Sequence, residues 1–368
     1  MKSFLIAVFI FAGIASALAI SPDELGSLKL DAGRGNPDAI IRLAECYERG
    51  DGVPADKMTA LAYYLVAFKK DSKNEALKKR IAALGGERFL PGGGGVSGKQ
   101  FIADLGGVKL ELVEIPAGAF TMGSPESEEG RDSDESRVRV RITEPLYLGK
   151  TEVTQAQWKS VMGNNPSYFK GDNLPVEKVS WEEAMDFCRK LTEREHSAGR
   201  LPRGWKYTLP TEAQWEYACR AGTTTRFSFG NSDKELYRYG NFYDRSGDTK
   251  YDAAFREKNG WKIPPDTSQD DGFVETAPVG RLRPNAWGLY DMHGNVWEWC
   301  LDYYNPRLAG GENPSRTTPG SGEYGSRRVI RGGGWSLDAR DCRPANRGCY
   351  SPGYRSGDFG FRVALVRE

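Results

Sequence analysis

Near its C-terminus the chain reads RVIRGGGWSLDARDC, residues 328–342, a glycine run set against a tryptophan and followed by Cys342. A thiol in such a place has three chemistries open to it. It can be a catalytic or metal-bound thiolate, half of a disulfide, or an apolar packing unit beneath a binding surface. The six cysteines are Cys46, Cys188, Cys219, Cys300, Cys342 and Cys349, and no two form a CxxC pair, so a zinc knuckle has no support. The two histidines, His196 and His293, lack the carboxylate spacing of a zinc site, and no motif supports a hydrolytic triad. His196 reads as exposed and His293 as part of a packed turn.

The composition narrows the setting. With 368 residues the chain has room for one large domain and a small one. Its 51 basic and 50 acidic residues leave a formal charge of +1, without the basic excess that duplex binding requires, so nucleic acid is excluded as a generic partner. The 44 glycines, 9 tryptophans and 17 tyrosines suit an irregular, aromatic-packed, loop-rich domain. MKSFLIAVFIFAGIASALAIS carries Lys2, an apolar core over residues 4–15 and the small-residue site Ala17-Leu18-Ala19. This predicts a signal peptide over residues 1–19, and hence a secreted, periplasmic or cell-envelope protein. The apolar run is shorter than the roughly 20 residues that span a bilayer, and no later segment reads as membrane-spanning. Export permits disulfides.

The elements that must position these residues follow in order. Residues 22–89 read as helical, with Ala39, Leu43, Ala44 and Tyr47 on one face, a Gly50/Gly52 turn, then Ala60, Tyr63, Tyr64 and Ala67 on a second. GNPDA, the GDGV turn and the following A-x-x-YY of residues 60–64 resemble a Sel1-like repeat, and NEALKKRIAALG supplies a further helix. LPGGGGVSGKQ, residues 90–100, is a flexible linker. From residue 101 VKLELVEIPAGAFTMGS reads as a strand pair around Pro116-Ala117-Gly118, RVRVRI as a half-exposed strand, and the acidic SPESEEGRDSDES as a solvated loop. TEVTQAQWKSVM, SWEEAMDFCRKLTERE and TEAQWEYACRAG each open on Thr or Ser with a nearby acid or amide, a helix N-terminus signature. Trp215, Ala218 and Cys219 are expected inward. Trp215, Trp287, Trp297, Trp299 and Trp335 read as core anchors.

The ordered blocks MGS, YLGKTEVTQAQW, NLPVEKVSWEEAMDFCRKL, LPTEAQWEYACRAGTTT, NAWGLYDMHGNVWEW, RVIRGGGW and GFRVAL resemble the formylglycine-generating enzyme (sulfatase-modifying factor) family over residues 101–368. The resemblance implies an α+β, C-type-lectin-like fold with little regular secondary structure, behind the small Sel1-like segment. Family enzymes bind Cu+ through two nearby cysteines and oxidise a substrate cysteine to formylglycine, a chemistry that needs two soft thiolates on one metal. Cys342 falls on the second cysteine, the first falls on Leu337, and the serine of the family's GGS is Gly334 here. The resemblance further implies a Cys219–Cys342 disulfide, with a buried free thiol as the competing reading of Cys342. It implies structural Ca2+ held by Asp291, the carbonyls of Gly294 and Val296, and Glu298. A second Ca2+ set is Asn241, the Phe242 carbonyl, Asp271 and the Phe273 carbonyl, and hard oxygens of this kind suit calcium. At each, a metal-free Asx turn is the alternative.

Residues 336–358 interleave scaffold positions with Ser336, Leu337, Asp338, Arg340, Asp341, Tyr350, Tyr354 and Asp358. None of the interleaved residues is Glu, Lys, Gln, Met or Trp, the types that mutagenesis of AAC-type codons cannot yield. The layout resembles the variable region of diversity-generating retroelement proteins, where tyrosines give rigid contact at low entropy cost. The sequence therefore favours a binding module that uses these residues on a protein or glycan ligand. An oxidase with Cys342 as its catalytic thiol, and a purely structural envelope protein, stand beside it.

Overall fold

The computed structural model describes residues 20–72, 74–84 and 100–367. The expected signal peptide, and all of the expected linker except Gln100, lie outside the described residues. Those described fall into two compact units, one of helices up to residue 84 and one from residue 100 onward. Among them no helix is long and apolar enough to cross a membrane.

The first unit contains α1 (Pro22–Gly33), α2 (Pro37–Arg49), α3 (Lys57–Lys70) and α4 (Glu75–Ala83). Local chemistry sets the starts: Ser21 and Glu24 form a reciprocal capping box, and Asn36 accepts from the amides of Asp38 and Ala39. Ile40, Ala44, Ala60, Tyr64, Ala67, Leu77 and Ile81 are buried together. Tyr47 and Tyr63 sit at the margin of that core, half-buried and stacked with centroids 5.8 Å apart.

The second unit holds three small sheets. In the first, β1 (Gln100–Asp104), β2 (Lys109–Ile115), β5 (Leu146–Gly149), β12 (Ala364–Arg367) and β6 (Trp205–Thr208) lie side by side in that order. The second runs β10 (Gly348–Tyr350), β9 (Arg328–Arg331), β7 (Trp297–Tyr303) and β11 (Phe359–Gly360). The third joins β3 (Gly118–Met122), β4 (Val138–Ile142) and β8 (Gly311–Glu312). The strands expected around Pro116-Ala117-Gly118 both form, as β2 and β3, yet they do not pair with each other. β2 lies between β1 and β5 while β3 pairs with β4, so the turn passes the chain from one sheet to another.

Helices α5 (Gln155–Met162), α6 (Trp181–Ser197) and α7 (Glu212–Arg220) start at Thr154, Ser180 and Thr211, each with a capping box closed by Gln157, Glu183 or Gln214. The short α8 (Arg245–Asp248) and α9 (Ala253–Asn259) lie in the long loop region. Trp158 and Phe187 stack 5.6 Å apart in one core, with Phe361 edge-on to both. Trp215, Trp287, Trp297 and Trp299 are buried as expected. Trp335 is not: it is half-buried, against the rings of Phe169, Tyr251 and Trp261. His196 is half-buried rather than exposed, because its Nε2 lies 2.9 Å from the Trp205 carbonyl at the edge of β6.

A fully buried ion pair joins these layers. The Arg362 guanidinium grips both Glu298 oxygens at 2.6 and 2.7 Å and donates to the carbonyls of Gly149 and Tyr290, while Trp215 Nε1 donates to Glu298 at 2.8 Å. Removing one member of such a pair strands the other charge in an apolar interior. Glu298→Gln is therefore expected to cost about 3–5 kcal/mol, read from urea unfolding at neutral pH. An unshifted midpoint would show that the pair does not hold the fold.

Candidate functional site: the C-terminal face and its adjoining loops

The segment leaving β9 turns through Gly332 and Gly333, both with positive φ. A Cβ at Gly333 would come within 2.9 Å of both the Asp341 carbonyl and Cys342 Sγ, so only glycine lets the two arms of this turn meet. Cys342 is thereby sealed among Phe227, Leu236 and Phe242. Burial pushes its thiol well above the ordinary value, so it is protonated at neutral pH. Leu337, expected at the position of the family's first cysteine, packs half-buried against the main core.

The expected Cys219–Cys342 disulfide is not formed, and all six cysteines are free. Cys219 belongs to the core under α7, with its Sγ on the Met292 carbonyl at 3.5 Å, whereas Cys342 belongs to the aromatic cluster. His293 stands beside them: its Nδ1 lies 2.9 Å from the Cys342 carbonyl, and Ser228 N donates to its Nε2 at 3.3 Å. Burial lowers this imidazole to about 4, so it is neutral.

Arginine–carboxylate pairs clamp the turn from below. Arg343 binds Glu135 at 2.7 and 2.9 Å and Glu128 at 2.8 Å, and Arg347 binds Glu212 at 2.6 and 2.9 Å. Arg331 bridges Glu212 and Glu216 and also donates to the carbonyls of Pro344 and Asn346. The acidic loop of residues 124–136 is thus not simply solvated, for Glu135 is completely buried against Arg343. Burial alone would raise Glu212, but the Arg347 and Arg331 charges outweigh it and hold the carboxyl at about 2.

The two expected calcium sets fare differently. In the first, Glu298 is saturated by Arg362 and Trp215, so it is not a free ligand. The carboxyl that does accompany Asp291 is Glu152, which the sequence reading passed over. Glu152 is buried, accepts from Asn295 Nδ2 at 3.0 Å, and leaves Oε2 with no partner. Burial, then the Asp291 charge, raises Glu152 well above its usual range, and burial raises Asp291 too. Asp291 itself sits at φ 57, and a Cβ at Gly294 would fall 2.1 Å from the Asn241 carbonyl, so this loop and the next press backbone on backbone.

In the second set Asn241 Oδ1 is buried and unpartnered, while its Nδ2 donates to the Glu275 carbonyl and to Asn295 Oδ1. Asp271 accepts from the amides of Phe242 and Phe273, and burial together with the nearby Asp244 pushes it up to about 8. An orphaned amide oxygen beside an under-neutralised carboxylate is a donor set that suits a hard cation. Among the described residues no three acidic, histidine or cysteine side chains converge, so a cation here would draw on carbonyls such as those of Phe242 and Phe273.

On the surface the expected binding residues divide. Tyr350 and Tyr354 are 41% and 39% exposed, stacked with centroids 4.5 Å apart, and both stand edge-on to the buried Phe359. Arg340 is exposed, while Ser336, Leu337, Asp338, Asp341 and Asp358 are half-buried. Asp338 is spent on an Asx turn with the Arg340 amide at 2.8 Å, and Asp341 is raised to about 6 by burial, then by Asp338. Asp358 Oδ1 is buried without a partner. A cleft of about 970 Å³ lies elsewhere, between α6, the β4–β5 turn and β12, and no residue of 336–358 lines it.

Curled sheets, long irregular loops and a glycine-aromatic C-terminal turn define a C-type-lectin-like domain. Residues 108–367 match the sulfatase-modifying factor enzyme 1-like domain, and the chain belongs to that family. It is 33% identical to a formylglycine-generating enzyme of Thermomonospora curvata, over 58% of this chain and 62% of that protein. With the chaperone protein LppX of Paenibacillus barcinonensis it shares 29% identity, covering 70% of this chain and 89% of that one. The structure of Treponema denticola variable protein 1 superposes with a TM-score of 0.58 at 29% identity, over 72% of this chain and 98% of that one.

The clamp has a measurable consequence. A carboxyl held below its unfolded value of roughly 4.3 stabilises the fold at higher pH, and loses that contribution as pH falls toward its folded value. For Glu212 the window is about pH 4 down to 2. Thermal melts should show an acid-side decline in this window that Glu212→Gln flattens while lowering Tm at pH 7. An unchanged acid limb would contradict the assignment.

Proposed function

We propose that this chain is a non-catalytic member of its family, an exported binding module that presents its C-terminal face to a protein or glycan ligand on a calcium-pinned scaffold. The observation that carries the reading is the state of the thiol position. Cys342 is buried and protonated, its would-be partner is Leu337, and Cys349 lies on β10 rather than in the turn. Copper(I) chemistry needs two accessible thiolates, and these residues do not fit it. The tyrosines at the same end are exposed, stacked on each other and braced edge-on against Phe359, as a binding face requires. The likeness to a Treponema variable protein supports reading residues 336–358 as a retroelement-diversified face. The N-terminal helices, read as Sel1-like, serve as an accessory unit.

The competing activity is oxidation of a sulfatase cysteine to formylglycine, the reaction implied by the enzymes in the family. Copper(I) titration together with a cysteine-bearing sulfatase peptide separates the two. We expect no stoichiometric copper binding and no conversion of the peptide, whereas ligand capture should fall at least tenfold in Tyr350→Ala/Tyr354→Ala. Conversion of the peptide would refute the binding reading. A template repeat and a reverse-transcriptase gene beside the coding sequence are the expected genomic signature of diversification, and their absence would sink that part.

Asn241, Asp271 and the carbonyls of Phe242 and Phe273 would hold the cation, with Asp291 and Glu152 offering a second place. The ion's role would be structural: it neutralises buried carboxylates and pins loops that no strand secures. Without it, Asp271 folds with a pKa of about 8, far above its unfolded value of roughly 3.9. The folded state then binds the extra proton, so the chelated protein loses stability as pH rises from about 4 to 8. Added calcium should raise Tm more at pH 8 than at pH 5.5, and Asp271→Asn should shrink that difference. Equal shifts at both pH values would count against the site.

A further inference from the structure

The buried arginines of this domain share a rule: Arg220, Arg331, Arg343, Arg347 and Arg362 each meet a carboxylate within ion-pair distance. Arg328 departs from it. Only 7% exposed, it is sandwiched flat, its guanidinium carbon 3.6 Å from the Trp181 ring centroid and 3.4 Å from that of Tyr303. Nη1 donates to the Leu301 carbonyl at 2.7 Å and Nε is buried with no acceptor. Nη2 has no hydrogen-bond partner among the described residues and is not one of the sealed atoms, so it keeps unspent donors. The carboxyls of Asp302 and Glu182 act on Arg328 through their charge, but neither comes within ion-pair distance among the described residues. Asp302 accepts from the amides of Glu212 and Arg316, while the exposed Glu182 has its carboxylate beside Gly353.

We propose that Arg328 is the anchor for a carboxylate carried by a protein ligand that docks along β10 beside Tyr350 and Tyr354. The assignment rests on the binding-module reading and names the chemistry of its ligand. Register places the parts together. Arg328 is directly opposite Tyr350 on one side and Tyr303 on the other, so the three side chains form one row on one face of the sheet. A guanidinium clamped between two rings can offer donors only within its own plane, the geometry of carboxylate recognition. A desolvated cation without a counter-ion is costly in the free protein, and a ligand carboxylate removes that cost on binding. β10 lies at the edge of its sheet, so its outer backbone groups can receive an extended peptide, and the stacked tyrosines supply aromatic contact next to the charge. A peptide therefore fits the arrangement better than a sugar, which would leave that edge unused.

Random 12-residue peptide display against the full chain in calcium buffer provides the probe. The selected peptides are then resynthesised in capped form with each Asp or Glu changed to Asn or Gln. The proposal expects binders that need Tyr350 and Tyr354 and carry one acidic residue. Neutralising that residue should weaken binding roughly ten- to a hundredfold, and Arg328→Gln should do the same, with no further loss when both changes are combined. Tm and circular dichroism accompany each variant, and Arg328→Lys, which keeps the charge but lacks the fork, replaces Arg328→Gln if the latter fails to fold. Binders that depend on the tyrosines yet ignore both Arg328 and their own carboxylate would overturn the anchor while leaving the binding module intact. So would capture of a sulfated or carboxylated glycan, in place of any peptide, through Arg328. No tyrosine-dependent binder of either class would overturn the module and the anchor together.

Discussion

The fold depends on a charge pair that water never reaches. Glu298, on the central β7, and Arg362, just before β12, neutralise one another with two short hydrogen bonds, and each spends its remaining capacity on a different element. Trp215 brings in α7, the Gly149 carbonyl brings in β5, and the Tyr290 carbonyl brings in the loop that leads to Asp291. A domain with such short strands cannot rely on long ladders to align its layers. Directional, fully desolvated contacts take over that task, at the cost that no member can be removed singly.

The same economy shapes the C-terminal face. Arg331, Arg343 and Arg347 anchor the turn that carries Cys342 to α7 and to the acidic loop. Clamping also decides the chemistry of the thiol. Sealed under Gly333 among aromatic rings, Cys342 has neither the exposure nor the stabilised thiolate that redox or metal chemistry requires.

Several features were legible in the residues alone because their causes are local. The capping boxes at Thr154, Ser180 and Thr211, the inward faces of α2 and α3, and the buried tryptophans of α7 and β7 follow from spacing and from side chains that reach only a few residues away. The family's ordered blocks likewise located the C-terminal turn and the loops around Asn241 and Asp291. Where partners are distant in sequence, that reading failed. Nothing local pairs Glu135 with Arg343, Glu152 with Asp291, or Glu298 with Arg362, so an acidic run reads as solvated and a buried counter-ion reads as a metal ligand.

The sequence by itself determined the family fold, the helix starts, and that position 337 carries a leucine, which cannot become a metal ligand in any conformation. Only the tertiary structure decided that Cys219 and Cys342 face different cores, that β2 and β3 belong to different sheets, and that Arg328, unlike Arg220, Arg331, Arg343, Arg347 and Arg362, meets aromatic rings and no carboxylate at ion-pair distance among the described residues. The physical reason is reach. Capping and amphipathicity act over a turn of chain, whereas the protonation and pairing of a buried group are set by whatever the fold brings against it.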